Sequence, residues 1–204
     1  VWHNGLIFKL KQNGVSGNLL KFFESYLHNK KQRIMINGSY SDYASIESGV
    51  PQGSILGPLF FVLFINDMME CMSEGTSIAL YADDTKIWRV IHSWSDHIIL
   101  QNDIGSLYDW SVRNKMNFHP DKCKVLRVSL EHDIHNHDSD LPFNTFHYCL
   151  DAMHEVKSLL SFVDSEKDLG LIMTYNLSSA LQSSAMYSKI SSRLGLLKRV
   201  CHFI

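Results

Sequence analysis

Cysteine is scarce: Cys71, Cys123, Cys149 and Cys201 are the only four in 204 residues, and no two form a CxxC pair. That spacing excludes a zinc ribbon and a disulfide framework, and it fits a reducing, intracellular setting. Long apolar runs are missing as well. The longest, Ile55 to Ile65, contains Gly57 and Pro58 and falls well short of the ~20 residues that span a bilayer. No signal peptide precedes it, so no membrane partner is expected. Excess charge of one sign is lacking too, since 19 Lys and Arg against 21 Asp and Glu leave a net −2. Nucleic-acid binding through bulk positive charge is thereby excluded, but local basic patches are not. Lys9, Lys11, Lys21, Lys30, Lys31 and Arg33 cluster near the start, and Lys189, Arg193, Lys198 and Arg199 near the end, around an acidic middle. There is no initiating Met, and the chain ends on the apolar Cys201-His202-Phe203-Ile204. Both ends therefore read as cut, and the chain as a fragment. Hydrophobic residues are plentiful, at 45%, enough to bury a core of one domain or one and a half.

Ser16 can cap a helix to about Asn29, because Leu19, Phe22, Phe23, Tyr26 and Leu27 recur at three- and four-residue spacing on one face. Lys31 to Ile36 alternates, and Asn37-Gly38 offers a hairpin turn into a return strand at Tyr43 to Ser48. Leu59 to Ile65 is apolar on every side, which predicts a core helix covered all round. Ser93-Trp-Ser-Asp96 resembles a capping box, and Leu100, Ile104, Leu107 and Trp110 give the helix after it a buried face to about Lys115. Met116 to Lys124 reads as a turn into a strand at Val125 to Val128, and Ser129 to Asp140 as a polar, His-rich loop. Strand-like pieces follow at Thr145 to Leu150, Val156 to Val163 and Asp168 to Met173. A last helix, Leu177 to Val200, is expected to bury Leu181, Ala185, Ile190, Leu194 and Leu197.

Three stretches carry chemistry. In Ser77 to Val90, SIALYADDTKIWRV, two apolar runs flank Asp83-Asp84 and read as a buried β-hairpin with the charge at its turn. Adjacent carboxylates repel, and a cation between them relieves the repulsion. Mg²⁺ takes oxygen ligands and leaves room for substrate phosphates, so the pair suits phosphoryl or nucleotidyl transfer; ordinary turn chemistry is the alternative. In Ser48 to Pro58, SGVPQGSILGP, glycines let the backbone approach a ligand closely and Pro51 holds Val50 extended, with polar Gln52 at the apex. The third stretch is Asp168-Leu-Gly170.

In this order the three stretches closely resemble the reverse transcriptases of non-LTR (LINE-type) retrotransposons. The match runs from Val1-Trp-His3 to Leu194-Gly-Leu-Leu197 and is weakest between Ser129 and Glu166. The resemblance implies an α+β right-hand polymerase palm, a small antiparallel sheet backed by helices, with the start of a helical thumb. It divides the chain into a partial palm at 1–128, a variable polar insertion with connecting strands at 129–167, and a primer-grip segment with thumb helix at 168–204. The implied reaction is RNA-directed DNA synthesis with two Mg²⁺ ions, which Mn²⁺ can replace; the partners are an RNA template, a DNA primer and dNTP, and the site of action is the nucleus. Carried over by position, Asp83 is a direct metal ligand and Asp84 the supporting carboxylate. Tyr81 lies beside the primer end, and Pro51, Gln52 and Gly53 pack against the forming base pair. Lys122 protonates departing pyrophosphate, and Leu169 with Gly170 grips the primer. Alternatives stand beside three of these roles: Tyr81 as a half-buried strand aromatic, Lys122 as a solvated turn lysine, and the basic residues of the last helix as a solvated face rather than phosphate contacts.

The family's third carboxylate, its first palm strand and its fingers would all lie upstream of Val1. A two-metal site without a bridging ligand is expected to bind metal poorly, which makes a catalytically inactive remnant that at most binds nucleic acid the alternative reading. His132, His135 and His137 with Asp133, Asp138 and Asp140 form a second metal candidate, with a solvated polar insertion as its bland counterpart.

Overall fold

The computed structural model describes residues 1–129, 146–151 and 158–201. The His-rich candidate lies outside them, as does most of the expected insertion. The described residues mix helices with two-stranded sheets, and their contacts form two compact units: Val1–Phe118 with Cys149–Lys157, and His119–Tyr148 with Ser158–Ile204.

The first unit begins with helix α1 (His3–Gln12), where the sequence reading assigns no element. His3, Leu6, Ile7 and Leu10 nonetheless fall at helical spacing and are buried. Lys9 and Lys11 occupy its last turn, where cations favour the helix dipole. Helix α2 (Gly17–Leu27) follows Ser16 as expected, but only Phe23 and Leu27 of its apolar face are buried. Leu19 and Phe22 remain exposed.

Four two-residue strands then build one interrupted hairpin, β1 (Lys31–Gln32), β2 (Met35–Ile36), β3 (Ser39–Tyr40) and β4 (Ala44–Ser45). Asn37 and Gly38 turn it with φ of 49° and 81°, the pair of positive angles that a two-residue hairpin turn demands. The return strand therefore starts at Ser39, earlier than the expected Tyr43, because the turn closes within two residues.

Helix α3 (Leu56–Ile65) buries Gly57, Phe60, Phe64 and Ile65. The expectation that it is covered all round fails: Leu59 and Val62 are exposed, because α1 and α2 pack on one side only. A 3₁₀ turn (Asn66–Cys71) leads to strands β5 (Thr76–Tyr81) and β6 (Asp84–Arg89). Helix α4 (Trp94–Arg113) opens on the expected capping box and buries Ile104, Leu107 and Trp110.

The core of this unit is Leu6, Leu10, Phe23, Leu27, Phe60, Phe64, Met68, Leu107 and Trp110. Phe60 and Phe64 are almost wholly buried, and each such side chain contributes about 1.5–3 kcal/mol. Phe64→Ala would leave a cavity beneath α1 and cost about 3–5 kcal/mol. Residues 149–151 belong to this unit but form no strand. Gln101 holds Cys149 at both backbone groups: its side-chain amide donates to the Cys149 carbonyl at 2.8 Å and its side-chain carbonyl accepts from the Cys149 N–H at 2.8 Å.

In the second unit, β7 (Lys124–Leu126) pairs in parallel with β8 (Ser161–Val163), and β9 (Ser165–Asp168) pairs antiparallel with β10 (Leu171–Thr174). The segment read as one strand-like piece at Asp168 to Met173 is thus a hairpin. Leu169 and Gly170 turn it with φ of 48° and 90°. Helix α5 (Ala180–Cys201) starts later than expected because Leu177, with φ of 54°, stands in the left-handed region. Its predicted buried side is exposed, and none of its residues is buried. Among the described residues only β10 packs closely on it, with the Ile172 N–H donating to Gln182 Oε1 at 3.0 Å.

Candidate active site

The hairpin β5–β6 carries the acidic pair. Six residues of β5 pair antiparallel with six of β6, from Thr76 opposite Arg89 to Tyr81 opposite Asp84. Alternation then sorts the side chains: Ile78, Leu80, Thr85 and Ile87 face inward, while Ala79, Tyr81, Asp84, Lys86 and Trp88 face outward. The hairpin is buried on one face rather than both, because every second residue is polar or points to solvent.

Ala82 and Asp83 form the two-residue turn. Ala82 has φ of 51°, a left-handed conformation that costs an alanine roughly 1–2 kcal/mol. Asp83 is therefore a turn residue and Asp84 the first of its strand, so the two carboxylates are not bound to opposite faces as neighbours within one strand would be. Tyr81, Asp83 and Asp84 are all exposed at this end. Tyr81, 65% exposed, is no half-buried aromatic.

The base of the hairpin is fixed firmly. Arg89 Nε donates to Asp96 Oδ1 at 3.1 Å, and its guanidinium also donates to the Glu74 carbonyl at 2.9 Å and to Thr76 Oγ1 at 3.1 Å. Asp96 in turn accepts from the Ser93 hydroxyl at 2.8 Å and from the Ser93 and His92 amides at 3.0 and 3.1 Å. Nearer the tip, Thr85 Oγ1 contacts Met68 Sδ at 3.8 Å.

The glycine-rich loop is tied to the start of the chain. The Gly49 N–H donates to the Val1 carbonyl at 2.8 Å, and His3 Nε2–H donates to the Gly49 carbonyl at 2.9 Å. Ser54 Oγ donates to the Pro51 carbonyl at 2.7 Å and accepts from the Gly57 N–H at 3.0 Å, folding the loop onto the first turn of α3. Gly57 is required there: a Cβ on it would stand 2.7 Å from the Pro51 carbonyl oxygen. Gln52 and Gly53 form the exposed apex, Gly53 with φ of 74°. Val50 on this loop, Leu56 at the start of α3, and Ile78, Leu80 and Ile87 on the hairpin all lean on the same core. The first unit therefore supports both motifs on one foundation.

Lys122 and the Leu169-Gly170 turn lie in the second unit. Lys122 ends a 3₁₀ turn (Pro120–Lys122), exposed, with its N–H donating to the His119 carbonyl at 2.9 Å. Leu169 and Gly170 are exposed, as are Lys189, Arg193, Lys198 and Arg199 on α5. Sequence reasoning missed Ala82 as a shaping residue, since an alanine announces no left-handed turn. It read Gly57 with the loop's other glycines as room for a ligand, whereas here Gly57 makes room for the Pro51 carbonyl.

Asp83 and Asp84 are hard oxygen donors with solvent around them, which fits a Mg²⁺ held by one or two carboxylates and completed by water and phosphate oxygens. Among the described residues no group of three or more His, Cys, Asp or Glu side chains could hold a metal by itself. No helix of the described residues is long and apolar enough to cross a membrane.

Residues 1–160 match the reverse transcriptase (RNA-dependent DNA polymerase) family. The chain belongs to that family. It is 28% identical over 204 residues to the RNA-directed DNA polymerase from mobile element jockey of Drosophila funebris, covering 95% of this chain and 20% of that protein. It is 30% identical over 133 residues to the jockey polymerase of Drosophila melanogaster, over 60% of this chain and 14% of the relative. With the probable RNA-directed DNA polymerase from transposon X-element of the same fly it shares 33% identity over 137 residues, 64% of this chain and 15% of the relative. The chain thus spans about one fifth or less of these relatives. No solved structure matches it. The resemblance to reverse transcriptases of non-LTR retrotransposons is borne out.

Proposed function

We propose that this chain is the nucleotidyl-transfer part of a reverse transcriptase that extends a DNA primer on an RNA template. The observation that supports it most is the Asp83-Asp84 pair at the solvent-facing end of a rigidly based hairpin. Asp83 and Asp84 would hold Mg²⁺ or Mn²⁺, which when bound stabilises charge on the attacking 3′-hydroxyl and on the leaving pyrophosphate. Tyr81, exposed on the same face as Asp84, would lie against the primer end. Pro51, Gln52 and Gly53 would support the new base pair from the apex of the glycine-rich loop. In this reading the first unit is a palm, and α5 begins a thumb whose Lys189, Arg193, Lys198 and Arg199 meet phosphates. Lys122 would give a proton to pyrophosphate, and Leu169 with Gly170 would grip the primer. The working place is the nucleus.

The test is primer extension on an RNA template with dNTP and Mg²⁺ by the Drosophila funebris polymerase in which these 204 residues replace the matching segment. Extension that disappears with Asp83→Asn, while primer–template binding persists, is the expected outcome. Extension that survives Asp83→Asn would overturn the assignment of the metal ligand. Binding without extension in the unsubstituted exchange would favour the reading of a nucleic-acid-binding remnant.

A further inference from the structure

The hairpin from Lys31 to Ser45 changes register halfway along. Lys31 and Gln32 pair with Ser45 and Ala44, whereas Met35 and Ile36 pair with Tyr40 and Ser39. The paired numbers sum to 76 in the first half and 75 in the second, so the return strand carries one extra residue. Ile34 keeps to the second register: its N–H donates to Ser41 Oγ and its carbonyl accepts from the Ser41 N–H, both at 2.9 Å. Asp42 and Tyr43 together therefore stand opposite Arg33, which makes a β-bulge.

The bulge has a chemical result. The Arg33 guanidinium lies 3.9 Å from the Tyr40 ring centroid and 4.9 Å from that of Tyr43. Both tyrosines stay more than half exposed, and Ile34, Met35 and Ile36 beside them are exposed as well. Lys30 sits over the Tyr26 ring at 5.1 Å. From residue 30 to residue 45 there are three cations, Lys30, Lys31 and Arg33, against the single acid Asp42. Pre-stacked aromatic faces within a local excess of positive charge suit bases and phosphates of an unpaired strand, since every base has a π-face and every linkage a negative charge. An apolar protein partner would gain little from three cations.

We propose that the Arg33–Tyr40–Tyr43 cluster is a second nucleic-acid site, separate from the Asp83-Asp84 hairpin, that takes single-stranded RNA by stacking bases on the two tyrosines with phosphates on Arg33, Lys30 and Lys31. It rests on the reading of the chain as a protein that works on nucleic acid. Its natural ligand in that reading is template strand that has not yet been copied.

The experiment is fluorescence anisotropy of the 204-residue protein with a labelled, unstructured 20-nucleotide oligouridine over a range of salt concentrations. Losing one stacked base corresponds to about 1–3 kcal/mol, or about fivefold to 150-fold in affinity. Arg33→Ala and Tyr43→Ala should each weaken binding within that range, Tyr43→Phe should bind like the unsubstituted protein, and Arg33→Ala should lower the salt slope by about one. These side chains are exposed, so thermal melting should not move; a second pair, Lys31→Gln and Tyr40→Leu, guards against a variant that does not fold. Equal affinity across folded variants, no binding by the unsubstituted protein, or concentration-dependent self-association that Tyr43→Ala abolishes in place of RNA binding would each overturn the proposal. Failure here leaves primer extension and its Asp83 dependence untouched, and the absence of extension leaves this affinity change intact.

Discussion

The ammonium of Lys9 lies 2.7 Å from Asp67 Oδ1, at a junction where α1, the end of α3 and α4 meet. The same nitrogen donates to the Phe64 carbonyl at 2.6 Å and sits over the Phe64 and Trp110 rings at 4.4 and 4.9 Å. Trp110 Nε1–H donates to the same Asp67 oxygen at 2.9 Å. Lys9 is almost fully buried, whereas the Asp67 side chain keeps 38% of its surface in water. Lys9→Ala should therefore cost about 2–3 kcal/mol, below the range for a wholly buried pair, because Asp67 keeps its water and Trp110. Lys9→Met should cost less, since a flexible apolar chain fills the same ring-lined space. Urea unfolding midpoints should rank the unsubstituted protein first, methionine second and alanine third.

Asp96 sets a pH dependence. The Ser93 hydroxyl foremost, then the His92 amide, Arg89 and the Ser93 amide, hold its carboxyl down at about 2, from an ordinary 3.8. A carboxyl depressed in the folded state stabilises above its unfolded pKa and loses that contribution as pH falls through the folded one. The contribution is therefore complete above about pH 4–5 and fades toward pH 2. Acid titrations followed by circular dichroism should show Asp96→Asn less stable at neutral pH and flatter in this window.

Gly57→Ala should damage the glycine-rich loop more than its size implies. The added methyl meets the Pro51 carbonyl oxygen, a backbone atom, at 2.7 Å, and relief requires moving Pro51 and with it Gln52. A loss of about 1–3 kcal/mol is expected, together with a rise in KM for dNTP in the exchanged polymerase. A variant that is destabilised yet has an unchanged KM would show that Gln52 does not depend on this contact.

Ala82→Gly should be neutral or stabilise by up to about 1 kcal/mol, because glycine accepts φ of 51° without the roughly 1–2 kcal/mol paid by alanine, less the extra freedom it has when unfolded. Differential melting would read the shift. Primer extension by the same variant tests whether the strained turn helps to aim Asp83: a drop in rate with no loss of stability would say that it does.

Much of the first unit could be read from residue spacing. Phe23 and Leu27, or Ile104, Leu107 and Trp110, declare a buried face because burial and helical period coincide there. The hairpin around Asp83 was legible for the same reason at period two. The environment of α3 was not, because an all-apolar helix states how much it could bury and never which side has a neighbour. Residues 146–150 misled for a different reason: their alternation is that of a strand, but Gln101 takes the N–H and carbonyl of Cys149, and the backbone pairing beside it is short, the Leu160 N–H donating to the Tyr148 carbonyl at 2.8 Å. Of the candidate site, the acidic pair and the apex glutamine were visible as types. The left-handed alanine and the one-residue slip beside Arg33 belong to backbone geometry, to which residue type is nearly blind.

The first unit is not a continuous piece of chain: it comprises Val1–Phe118 and then Cys149–Lys157, with 30 residues of the second unit between them. On a ribosome this imposes an order of events. Gln101 emerges and waits with both ends of its amide in water until Cys149 has been made, 48 residues later. At about 5–20 residues per second that is an interval of roughly 2–10 s. Throughout it the hairpin bearing Asp83, the glycine-rich loop and the core they lean on already exist as sequence, while the segment that binds Gln101 does not. Synonymous changes that slow or speed translation between residues 119 and 148 would lengthen or shorten that wait without altering one amino acid.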